Sequence, residues 1–170
     1  MPTARQVRHS TRIEASAACV WEHITEVDIA SFEHSLLLGL LGVPKPLSAE
    51  ILREGVGGAR VAHFAGSKRF VQEITEWSPP VSYAFTFEAD PGFVVGHVLD
   101  LSSGPFRMVS GGYLISPDGD GVRLDLYSNY ELRGLFGILL WLPVTLTLHI
   151  FQTYLLRGLR ASAERDARPS

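Results

Sequence analysis

Two histidines lead the candidates for chemistry in this chain. His97 shares the alternating parity of Phe93, Val95, Leu99 and Leu101, so its imidazole is expected among buried apolar side chains. His149 stands three residues before Gln152, in a stretch rich in Leu, Ile and Phe. An imidazole that moves a proton, beside a Tyr or Arg that polarises an oxygen, suits general acid–base chemistry on a bound ligand. His97 and His149 are therefore the catalytic candidates. A lone histidine on an apolar face is nevertheless more often a hydrogen-bonded core residue, and His63, which shares parity with Ala59 and Val61, is read in the same way.

A wider set can hold a ligand without reacting with it. Tyr83, Phe85 and Phe87 alternate along one strand and share a face. With His97, Tyr113, Leu148, His149 and Gln152 they form the candidate ligand-binding residues. Arg107, Tyr113 and Tyr127 also have side chains able to polarise an oxygen. However, Arg107 and Tyr113 oppose Phe106, Met108 and Leu114 in parity, which favours the solvent side for both. Arg123, Asp125 and Asn129 alternate with Val122, Leu124 and Leu126 and read as an outer polar face. Glu73 and Glu76 fall on opposite faces of one strand, so they are no acid–base pair.

The standard catalytic motifs are missing. There is no G-x-S-x-G, P-loop or G-x-G-x-x-G sequence. The six histidines never fall at i,i+2 or i,i+4, so neither a metal nor a cofactor is expected. Net charge is −3 with no basic face, which argues against nucleic acid as a partner. The single cysteine, Cys19, fits core packing and a reducing compartment such as the cytoplasm. The opening MPTARQVRHS lacks the apolar core of a signal peptide.

The elements that must position these residues follow from periodicity. Val7–Ile13 reads as a first strand, and Ser16 caps a helix running to about Glu26. Ile29–Leu41 reads as a second helix. Strands are expected at Ala49–Glu54, Ala59–Phe64, Arg69–Trp77, Ser82–Glu88, Phe93–Leu101, Phe106–Ile115 and Val122–Leu132, separated by Gly- and Pro-rich turns. The Asp118-Gly119-Asp120-Gly121 run signals a hairpin.

Residues Gly134–Leu156 carry no charge, between Arg133 and Arg157. That length would cross a bilayer, which takes about 20 apolar residues. Against a span, Pro143 fits the first turn of a helix. From there Val144, Leu148, Phe151, Leu155 and Leu159 form one face, with Thr145, His149, Gln152 and Arg160 on another. The reading is a turn or short helix over Gly134–Leu142, then a long helix from Pro143 to about Arg165.

The sequence resembles the superfamily of START-like lipid-transfer domains, polyketide cyclases and birch-pollen-allergen-like proteins, also called SRPBCC, which share the helix-grip fold. The matching residues are Ile13-Glu14-Ala15-Ser16 with Val20-Trp21, the Gly57-Gly58 turn, and Glu76-Trp77-Ser78-Pro79-Pro80 leading into Tyr83–Phe87. The run from Ser116 to Leu124 and the closing helix complete the set. The segment from Ile29 to Ser48 departs from the usual pattern, being longer and richer in leucine. The resemblance implies one α+β domain over residues 1–170. A curved antiparallel sheet of about six or seven strands would wrap a long C-terminal helix, with two short helices after the first strand.

The expected function is binding or transport of a hydrophobic small molecule (a lipid, polyketide or other polycyclic compound) in an internal cavity. The alternatives are a polyketide cyclase, aromatase or dehydratase, and a membrane-associated protein using the 134–156 run. A homodimer stays open.

Overall fold

Strand β1 (Thr3–Ile13) opens the chain and leads into α1 (Ala17–Thr25). The Ser16 hydroxyl caps α1 by accepting from the Cys19 N–H at 3.2 Å, and the helix buries Val20 and Ile24. The chain continues through β2 (Val27–Asp28), α2 (Leu36–Leu40), β3 (Pro46–Arg53), β4 (Ala59–Phe64), β5 (Lys68–Ser78), β6 (Ser82–Thr86) and β7 (Glu88–Ala89). Then come β8 (Val94–Val95), β9 (Leu99–Asp100), β10 (Phe106–Asp118), β11 (Gly121–Leu132), α3 (Gly134–Leu139) and α4 (Trp141–Asp166). This computed structural model describes residues 2–29, 32, 35–96 and 99–169.

Nine strands form one antiparallel sheet in the order β1-β11-β10-β6-β5-β4-β3-β2, with β7 beside β5. The sheet is curled, and α4 lies in its concave side against β1 and α1. Register shifts in β10 between Met108 and Ser110, in β5 between Ile74 and Glu76, and twice in β3 bend the strands as bulges do. Gly119, with a φ of +65°, makes the tight turn of the β10–β11 hairpin that the Asp-Gly run predicts.

Two expectations are corrected. Phe93–Leu101 is not a strand of the main sheet: Gly96 takes a φ of +63° in its middle, and the segment folds as the small β8–β9 hairpin beside it. Of the helix expected over Ile29–Leu41, the described residues show the five of α2, and residues 30, 31, 33 and 34 lie outside them. Val27–Asp28, before that stretch, pairs with β3, and the Ser35 hydroxyl caps α2 by accepting from the Leu38 N–H.

The core divides into two clusters. One gathers Ile13, Ile24, Tyr83, Leu124 and Leu159 around α1 and the second half of α4. The other gathers Phe64, Phe70, Phe93, Phe106 and Tyr130 around the first half of α4. Phe87, Phe151 and Ala62 pack against both. Between sheet and helix at this junction a space remains.

Candidate functional site

The space is a cavity of about 360 Å³. Its walls come from β3–β6, β10, β11, the β8–β9 hairpin and α4, and are mostly apolar. Of the candidate ligand-binding residues, Phe85, Phe87, Tyr113, Leu148 and Gln152 line it. Pro143, which is exposed, also lines it, so the cavity reaches the surface where α3 meets α4.

Tyr83 lies deeper than the wall. Its ring is fully buried between Trp77, Phe85 and Tyr113, and its hydroxyl donates to the Ile24 carbonyl at the end of α1. His149 turns away from the cavity toward β1, where its Nδ1 meets Nε2 of His9. The reason is rotation along α4: Leu148, Phe151, Gln152 and Leu155 take the cavity side, which leaves His149 over the neighbouring strand. His97 lies outside the described residues. His63 pairs with Glu50 at 3.2 Å.

Two parity readings fail for physical reasons. The bulge at Met108–Ser110 inverts the alternation of β10, so Phe106 and Met108 point inward and so does Tyr113 beyond the bulge. Arg107 stays exposed. Tyr127 keeps the outward parity of β11, and its hydroxyl lies over Gly112, where a Cβ would come within 2.6 Å of it. Gln152, expected on the polar face of the closing helix, is 1% exposed. Its Nε2 donates to the Val7 carbonyl at 3.2 Å and to Ser128 Oγ at 3.0 Å, while its Oε1 has no partner among the described residues.

The residue that sequence reasoning missed is Arg60. It is 4% exposed and lines the cavity from β4. Its Nη1 donates to Oε1 of Gln72, its cross-strand neighbour on β5. The guanidinium lies 4.8 Å from the Phe85 ring centre and 5.9 Å from that of Tyr83, near enough for cation–π attraction. Among the described residues its Nε has no partner and no carboxylate pairs with it. A buried cation without a counter-ion is costly, so its surroundings matter. Burial pushes the Tyr113 hydroxyl above its ordinary pKa, with the charge of Arg60 acting against that rise. Tyr113 is therefore a neutral O–H donor at neutral pH. The cavity thus offers a cation and a neutral hydroxyl, with one orphan donor at Arg60 and one orphan acceptor at Gln152, inside an apolar shell.

A family model described as polyketide cyclase / dehydrase and lipid transport matches residues 4–164. The chain belongs to this family. No curated protein sequence matches it. Among solved structures, a protein from Thermus thermophilus superposes with a TM-score of 0.58 at 23% identity, over 96% of this chain and 100% of that one. Ara h 8.0201 gives a TM-score of 0.62 at 12% identity, over 95% and 98%. The Zhui aromatase/cyclase from Streptomyces sp. R1128 gives 0.56 at 19%, over 98% and 97%. At these identities the likeness establishes the helix-grip fold, which the family shares across hydrophobic-ligand binding and cyclase chemistry.

Proposed function

We propose that this chain binds and carries a hydrophobic small molecule whose polar end is an acid or a carbonyl group. The observation that carries this reading is Arg60, a buried guanidinium whose Nε has no partner among the described residues, in a mostly apolar cavity. An acyl or polycyclic body would fill the space among Phe85, Phe87, Phe151 and Leu148, driven by apolar burial at about 25 cal/mol per Å². The oxygen of its head would accept from Arg60, and a hydroxyl on it would satisfy Gln152 Oε1. Titration with a fluorescent long-chain fatty acid tests the reading. Saturable binding of one molecule per chain supports it, and absence of saturable binding rejects it.

A second reading, cyclisation of a polyketide-like chain, draws on Tyr113 and Arg60 lining the same wall. A neutral hydroxyl and a cation at one carbonyl would stabilise an enolate oxygen. Incubation with a poly-β-carbonyl thioester analogue separates the two. Enzymatic guidance predicts a product distribution that shifts in Tyr113→Phe, and carriage alone predicts the uncatalysed distribution in both proteins.

A further inference from the structure

Helix α3 is folded inside out for a helix of a globular protein. Its one buried residue is Gly137, held against Leu132, while Leu135, Phe136, Ile138 and Leu139 are 62–76% exposed. The apolar surface continues onto the first turns of α4 through Trp141, Leu142 and Leu146. Helix α2 contacts α4 further along, where Leu36 borders a groove with Ile150 and Tyr154, and it exposes Leu40 at 84%. Exposed apolar area on this scale marks an interaction surface.

We infer that this face docks the protein onto an anionic lipid bilayer and presents the cavity mouth to it. Three observations choose that occupant. The face is continuous with the cavity: Leu140, Pro143 and Val144 from the same helices, and Leu41 just after α2, line it. A molecule passing from acyl chains to the cavity would therefore cross apolar surface throughout. The edge of the face is basic. Arg5 stands 4.8 Å over the Trp141 ring, and Arg107 and Arg133 flank the end of β11, with Glu131 the acid between them. Arginine beside an interfacial tryptophan matches the headgroup layer of a membrane with anionic lipids. Finally, among the described residues no helix is long and apolar enough to cross a membrane. The exposed first half of the charge-free run thus suits helices lying in the interface plane.

Docking deepens the carrier reading but is measured apart from it. The full chain is sedimented with vesicles of phosphatidylcholine alone and of phosphatidylcholine mixed with phosphatidylglycerol. The mixed vesicles should bring it down, less so as salt is raised. Leu135→Glu/Leu139→Glu, at two exposed positions, should weaken vesicle binding at least about tenfold. Thermal unfolding and binding of the fluorescent fatty acid without vesicles should stay as in the wild type. Three results overturn docking: wild type that stays in the supernatant with both vesicles, a double variant that sediments like wild type, or a free-chain dimer that the double substitution splits. Failure of fatty-acid binding alone strikes the carrier reading and leaves vesicle docking standing.

Discussion

Arg60 is the residue on which the cavity's chemistry turns. Its partners are an amide oxygen and two aromatic faces, which cushion a charge without neutralising it. A group retained for the ligand rather than for stability should be dispensable to the fold. Replacing it together with its amide partner, Arg60→Met/Gln72→Leu, leaves neither a buried charge nor an orphan acceptor. Urea unfolding should find the double variant at least as stable as wild type, because apolar replacement of buried polar pairs is often neutral or stabilising. A loss above about 2 kcal/mol would make Arg60 a structural residue. Little of this was legible in the sequence. Arg60 shares parity with Ala62 and Phe64, and Gln72 with Phe70 and Ile74, which is the one signal that marks them as inward. A charged residue near the start of a strand reads as solvated unless its cross-strand partner is known. The aromatic positions Phe85 and Phe87 were legible because their alternation is unbroken, whereas Tyr113 was hidden by a bulge that no local residue type announces.

At the scale of elements, α4 is held to β1 by a polar seam inside an apolar contact. Gln152 reaches the Val7 carbonyl and Ser128, and His149 meets His9. Burial, and then the neighbouring His149, depress the pKa of His9 below its ordinary value near 6.5. The sign follows directly. The folded chain binds fewer protons than the unfolded chain between the two pKa values, so stability rises with pH there. The seam's full contribution is present above about pH 6.5 and is lost as pH falls through the folded value. Urea midpoints should therefore drop between about pH 7.5 and pH 5.5, and the drop should shrink in His9→Gln. An equal drop in both proteins would place the titration elsewhere. The helix itself was legible from Pro143 and the four-three-four spacing, and starts two residues earlier than that spacing predicts. The direction of His149 was not, since one sequence face of a helix spans two neighbours in a curled sheet. The β8–β9 hairpin escaped because the apolar alternation of Phe93, Val95, Leu99 and Leu101 runs on past Gly96, whose positive φ breaks the strand.

For the molecule as a whole, the charge-free run from Gly134 to Leu156 divides between two environments. Its first half covers the outside of the structure as α3 and the first turn of α4, and its second half fills the concave side of the sheet. Hydropathy alone cannot separate the two, because both are apolar; only the sheet's closure on Gln152, Leu155 and Leu156 does. The architecture was legible from junctions and turns, the residues that carry the resemblance. The ligand was not, because cavities are shaped by side chains from seven or more elements far apart in sequence. What joins the two halves is a greasy chamber with a cation in its wall. Paired titrations of a long-chain carboxylic acid and the alcohol of equal length, against wild type and Arg60→Met/Gln72→Leu, address that chamber most directly. Wild type should favour the acid by about 1.5–3 kcal/mol, the worth of a hydrogen bond to a charged group, and the variant should bind both alike. Equal affinity of wild type for acid and alcohol, or a preference unchanged in the variant, would contradict the assignment of Arg60 to the ligand's polar end.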